Sequence, residues 1–278
     1  MSILCGLIGA GIQGSRSPAL QQTEARAQGL DLTYKLIDLE KLGVGVEALP
    51  RLLDDVVREG YSGLNITFPC KQAVMPLLHG VSEEARAIGA VNTVVIASGK
   101  LTGHNTDASG WAWGFRRALP DADLSRVVLL GAGGAGAAVG YAALGLGVSE
   151  LSVFDVDPSR AAALATNLRT NFPDRQVVSG KDLPASMRSA TGLIHCTPTG
   201  MAGHAGMPLD EKLLRPAIWV SDIVYVPLET ELLKSAKRAG CKVMDGGHMN
   251  VGQAIGGFRL FTGRNADPAR MDGHFRSL

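Results

Sequence analysis

Lys71 and Asp107 each close a short run of small polar and apolar residues, Gly63-Leu-Asn-Ile-Thr-Phe-Pro-Cys-Lys71 and Gly103-His-Asn-Thr-Asp107. A lysine beside a carboxylate can exchange a proton with a reacting hydroxyl, the carboxylate orienting the ammonium and stabilising its charge. Asn65 and Thr67 alternate with Leu64, Ile66 and Phe68. On a strand running from Gly63 to Phe68 both polar groups would leave one face, and Pro69 would then end ladder pairing. Such a face suits a polyol substrate. Taken singly, Lys71 is equally a surface residue after a turn, and Asp107 a favoured N-cap for the helix that follows it.

A second constellation lies at Gly131-Ala-Gly133-Gly134-Ala135-Gly136, between the apolar run Arg126-Val-Val-Leu-Leu130 and a small-residue helix reaching Leu146. A G-x-G-x-x-G turn between strand and helix lets bare backbone approach a pyrophosphate while the helix N-terminus faces it. The next strand, Leu151 to Phe154, ends at Asp155, close to the interval of about 20 residues that separates the glycines from the ribose-binding acid in this motif. A carboxylate there accepts from ribose hydroxyls and repels a 2′-phosphate, so NAD is expected over NADP. Arg160 is expected to stack on adenine or bind a hydroxyl, while Asp157 before Pro158 caps the next helix.

These segments resemble the signature of the shikimate and quinate dehydrogenase family, and the resemblance covers nearly the whole chain. It is carried by Ser15-Arg16-Ser17-Pro18, by Asn65-x-Thr67-x-Pro69-x-Lys71, by Gly89-Ala-Val-Asn-Thr93 and by Asn105-Thr-Asp107. The glycine loop, Asp222-Ile-Val-Tyr225-x-Pro227 and Gln253-Ala254 complete the order. The resemblance implies an NAD-dependent oxidoreductase interconverting shikimate and 3-dehydroshikimate by hydride transfer at C3, with weaker quinate activity. It puts Ser15, Ser17 and Tyr225 near the substrate carboxylate, Asn65, Thr67, Asn92, Asp107 and Gln253 near ring hydroxyls, and Lys71 at the C3 hydroxyl as proton-transfer group. It gives the cofactor to Gly131, Gly133, Gly134, Ala135, Asp155, Arg160, Thr197, Val224 and Gly247. The segment Ile194-His195-Cys196-Thr197-Pro198 departs from the family's usual Asn-Ala-Thr-Pro. Relatives that handle quinate well often carry Thr where Ser17 stands, and relatives that use NADP often carry Asn-Arg-Thr where this chain has Asp155-Val156-Asp157. A quinate-preferring enzyme, a non-catalytic ligand sensor and a folate-linked or amino-acid-type dehydrogenase remain as alternatives.

The elements that must position these residues alternate β and α signals throughout, the pattern of two α/β domains rather than a bundle or sandwich. The expected division is a substrate domain over residues 1–108, a Rossmann-type nucleotide domain over 109–248, and a C-terminal helical segment, 249–278, returning to the first domain. Ser17 is expected to cap a helix with Pro18 at its first position. At 278 residues, with 46% hydrophobic and 19% charged residues, the chain is long enough for two cores. A net charge of +1 gives no electrostatic case for nucleic acid or an anionic membrane. Four cysteines at unrelated spacings read as reduced thiols, no metal is expected, and the first residues lack the pattern of a secretory signal. A cytoplasmic monomer or homodimer is expected.

Overall fold

The computed structural model describes residues 2–278, which form two compact units: residues up to 106 together with 251–278, and residues 107–250. In unit 1 the chain runs β1 (Ile3–Gly9), α1 (Ser17–Ala27), β2 (Leu32–Asp38), α2 (Leu39–Leu42), α3 (Leu49–Arg58), β3 (Gly63–Ile66), α4 (Cys70–Ala73), β4 (Gly80–Val81), α5 (Glu83–Ile88), β5 (Thr93–Ala97) and β6 (Lys100–His104). Its six-stranded sheet has the order β2-β1-β3-β5-β6-β4, with β1 parallel to β2 and β3, and β5 antiparallel to β3 and β6. Leu49, Leu52, Leu53 and Val56 recur at helical spacing on α3 and join Ile8, Leu64, Ile66 and Val94 in the core.

Unit 2 holds α6 (Asp107–Ala118), β7 (Arg126–Leu130), α7 (Gly134–Leu146), β8 (Glu150–Phe154), α8 (Pro158–Asn171), β9 (Gln176–Ser179), α9 (Leu183–Ser189), β10 (Gly192–His195), β11 (Trp219–Asp222), α10 (Glu231–Arg238) and β12 (Lys242–Met244). Its strands are all parallel, in the order β12-β11-β10-β7-β8-β9, which is the doubly wound order with a switch point between β7 and β10. Val127 to Leu130 are buried without alternation, as expected for a central parallel strand covered on both faces. α11 (Gly246–Thr262) carries the chain back into unit 1, where α12 (Pro268–Ser277) ends it. Glu24 on α1 accepts from Arg270 on α12 through both carboxylate oxygens, at 2.7 and 2.8 Å, tying the C-terminal helix to unit 1.

Two local expectations are corrected. β3 ends at Ile66, so Thr67 lies one residue beyond the strand. The N-cap of α1 is Arg16 rather than Ser17, because Ser17 is already helical and no side chain caps the turn. Asp157 does cap α8, accepting from Ser159 N at 2.8 Å with Pro158 as first helical residue. Among the described residues no helix is long and apolar enough to cross a membrane.

Candidate active site

In unit 1 the segment after β3 is pinned from two sides. Thr67 N donates to Ile8 O and Ala10 N donates to Phe68 O, each at 2.9 Å, which fixes the Thr-Phe-Pro turn to the end of β1. Val91 N donates to Lys71 O at 2.9 Å, which joins the backbone of Lys71, on α4, to the Gly-Ala-Val-Asn-Thr segment. Lys71 is half-buried, and the adjacent Cys70 is fully buried, with burial pushing its thiol up to about 11. Cys5 is likewise buried and pushed up to about 12, so neither thiol supplies a thiolate at neutral pH.

Asn65 and Asn92 belong to one buried polar network. Tyr34 donates its hydroxyl to Asn65 Oδ1 at 2.7 Å, and Asn65 Nδ2 donates to Asn92 O at 3.3 Å and Thr93 Oγ1 at 3.0 Å. Asn65 Nδ2 therefore bridges to the Asn92-Thr93 corner where β5 begins. Asn92 Oδ1 accepts from Thr106 N and from Thr93 Oγ1. His104 closes β6 beside this network, and burial pushes its imidazole down from the ordinary value.

The loop carrying Ser15 and Ser17 has its own supports. Ser15 Oγ accepts from Ser17 N at 3.3 Å. Arg16 turns away from the two serines onto α12, donating to Phe275 O at 3.1 Å with its guanidinium 4.6 Å from the Phe275 ring centroid. Upstream, Asp38 accepts from Gly11 N, Ile12 N and Gln13 Nε2. Burial alone would raise the Asp38 carboxyl, but these donors together with Glu40 N hold it below the ordinary range. Gln253 is half-buried on α11.

Unit 2 carries Asp107, Tyr225 and the nucleotide residues. Asp107 is buried at the first position of α6, where the helix N-terminus favours a negative charge. The glycine loop fits a dinucleotide phosphate. Gly131 takes φ +102°, and a Cβ on it would stand 2.6 Å from Cys196 O, while one on Gly136 would collide with Gly131 O. Gly133 is the N-cap of α7 with no side-chain cap, so Gly134 and Ala135 open a helix whose first amides are free for an anion. Asp155 Oδ2 accepts from Ala132 N at 2.7 Å and Oδ1 from Asp157 N at 3.0 Å, which places the carboxylate against the loop with a lone pair left on each oxygen. Arg160 Nη2 lies 3.3 Å from where a Gly133 Cβ would be, over the loop itself. Val224 N donates to Asp222 Oδ1 at 3.0 Å, Gly247 N to Asp245 Oδ1 at 2.9 Å, and a Cβ on Gly246 would collide with the carbonyl oxygens of Ile223 and Val224.

His195 does not sit exposed beside Cys196. Its ring is fully buried, with Nδ1 2.9 Å from Asp222 Oδ1 and Nε2 2.5 Å from Thr197 Oγ1. Tyr34 and Asp38 were not legible as supports of the site, because the groups they hold there lie 25 to 31 residues away in sequence.

A family model described as the shikimate dehydrogenase substrate binding domain matches residues 7–94. The shikimate dehydrogenase (NADP(+)) of Streptomyces avermitilis is 53% identical over 272 residues, covering 97% of this chain and 94% of the relative. The quinate/shikimate dehydrogenase (NAD(+)) of Corynebacterium efficiens is 46% identical over 281 residues, covering 100% and 99%. Among solved structures, quinate dehydrogenase from Corynebacterium glutamicum in complex with NAD matches with a TM-score of 0.91 at 47% identity, covering 100% of this chain and 99% of that one.

Proposed function

The chain belongs to the shikimate and quinate dehydrogenase family, and from that footing we propose that it is an NAD-preferring shikimate dehydrogenase with weaker activity on quinate. It is an oxidoreductase acting on CH–OH groups with a pyridine nucleotide, and it takes shikimate-type polyol carboxylates.

In the proposed reaction Lys71 takes the proton of the C3 hydroxyl as the alcohol is oxidised and returns it in the reverse direction. Asp107 orients and balances the ammonium. Ser15, Ser17 and Tyr225 hold the carboxylate, and Thr67, Asn92 and Gln253 hold ring hydroxyls. Asn65, tied to Asn92 O and Thr93 Oγ1, stands with them on the polyol side of the site. A nicotinamide held there would supply the hydride chemistry at C3. Gly131, Gly133, Gly134 and Ala135 cradle the pyrophosphate, with Arg160 over the loop, Asp155 on the ribose, and the backbone of Thr197, Val224 and Gly247 beside the nicotinamide.

The preference for NAD rests on one observation: Asp155 stands at the end of β8 with its carboxylate on Ala132 N. A 2′-phosphate at that place would meet a negative charge. Dual use of NADP is the second reading, favoured by the 53% identity to a relative named for NADP. Initial rates with shikimate, quinate and aminoshikimate, each with NAD and with NADP, test both. The highest kcat/KM is expected for shikimate with NAD; equal rates with the two nucleotides would reject the preference.

A further inference from the structure

At the ends of β10 and β11 four side chains form one hydrogen-bonded line: Thr197 to His195, His195 to Asp222, and Asp222 to Thr230. His195 is fully buried, and Asp222 and Thr230 are each 1% exposed. A carboxylate so placed needs donors on its oxygens. It has three, the His195 ring, Val224 N at 3.0 Å and the Thr230 hydroxyl at 2.7 Å. A neutral ring donating Nδ1–H to Asp222 accepts at Nε2 from the Thr197 hydroxyl, whose oxygen takes Thr199 N at 3.3 Å. Thr230 in turn caps α10 through Leu233 N. One ring thus joins the loop after β10 to the loop after β11. The peptide of Cys196, next to His195, walls the glycine loop, since a Cβ on Gly131 would stand 2.6 Å from Cys196 O.

We infer that His195, held by Asp222, is a positioning residue for nucleotide binding: it sets the spacing of the two loops that present Thr197 and Val224. The inference rests on unit 2 being the dinucleotide-binding unit. The ring makes no contact with substrate in this role. Its loss should act on the nucleotide and leave the polyol site in unit 1 alone, which separates it from a general loosening of the fold.

The test is NADH titration by fluorescence, with steady-state kinetics and Tm, on His195→Phe and His195→Asn. Phe keeps a ring but leaves the Thr197 hydroxyl and the Asp222 carboxylate each short of a partner. It should weaken NADH binding at least about tenfold, the scale of a single buried polar group left unsatisfied, with the KM for shikimate within about twofold of the parent. Asn keeps a donor near the Nδ1 position, so the third bond to Asp222 survives and most of the affinity should return. Should His195→Phe fail to fold, Thr197→Val removes the hydroxyl that meets His195 Nε2 and Thr199 N while keeping the Thr197 backbone, and should still weaken NADH. Unchanged NADH affinity, equal losses for NADH and shikimate, or an Asn variant no better than Phe would overturn the role. A parent protein that binds neither NADH nor NADPH would instead overturn the dinucleotide assignment beneath it.

Discussion

Asn92 grips Thr106 at two points, accepting its backbone amide at 2.7 Å through Oδ1 and donating to its hydroxyl at 3.0 Å through Nδ2. Thr106 is the last residue of unit 1 before the chain passes into unit 2, and one peptide bond separates it from Asp107. The asparagine proposed to touch substrate therefore also anchors the residue that precedes the carboxylate proposed to steady Lys71.

That network begins at Tyr34, which lies 31 residues from its partner Asn65. Tyr34→Phe removes the phenolic donor from a buried amide oxygen and should cost about 1 kcal/mol of stability. Denaturant unfolding measures the loss. The KM for shikimate should rise modestly as Asn92 loses its backing, with nucleotide affinity unchanged; a variant as stable as the parent would show that the bond contributes nothing.

Asp155→Ser removes the carboxylate from the glycine loop, together with its bond to Ala132 N. KM for NAD should rise and the ratio of kcat/KM for NAD over NADP should shrink, because a repulsion and ribose acceptors are lost together. A ratio that stays the same would place the discrimination elsewhere.

Ser17 is 7% exposed at the first turn of α1, and its amide is held by Ser15 Oγ. Ser17→Thr adds one methyl in this loop, worth about 1 kcal/mol in a pocket. Relative kcat/KM should move toward quinate by about fivefold, measured as the quinate-to-shikimate ratio. No relative gain on quinate would remove Ser17 from the specificity determinants.

How much of this could be seen in the sequence depends on how far each relationship reaches along the chain. The run β7, glycine loop, α7, β8 and Asp155 was legible because it is contiguous: an unbroken apolar strand, a turn that only glycine fits, and an acid at a set interval. The motif residues of unit 1 were legible by type for the same reason. The supports behind them were not. Asp38 reaches back 25 to 27 residues to hold Gly11, Ile12 and Gln13, and His195 meets Asp222 across 27, pairings that appear only when parallel strands bring their C-terminal ends side by side. The strand expected to run through Phe68 stops at Ile66, the last residue in register with β1; Thr67 N still reaches Ile8 O, but the next bond comes from Ala10 N, past the end of β1, to Phe68 O, which takes the chain out of the ladder.

The clamp between α1 and α12 gives a pH dependence with a definite sign. Burial would raise the Glu24 carboxyl, but hydrogen bonds from Arg270, Asp267 N and Gln28, with the Arg270 charge, hold it below its ordinary value of 4.5. A carboxyl depressed in the folded state adds stability that is present above its unfolded value and lost as pH falls through the folded one. Glu24→Gln should lower Tm at neutral pH, and the gap from the parent should close as the solution is acidified below the ordinary carboxylate range. A Tm gap independent of pH would assign the effect to packing alone.

The central claim is that Lys71 moves the proton of the C3 hydroxyl, and Lys71→Ala tests it most directly. With shikimate and NAD both saturating, kcat should fall by about 10² to 10⁴, the range of general acid–base catalysis, while NADH affinity by fluorescence titration stays near that of the parent. A variant that keeps most of its kcat with nucleotide binding intact would contradict the assignment.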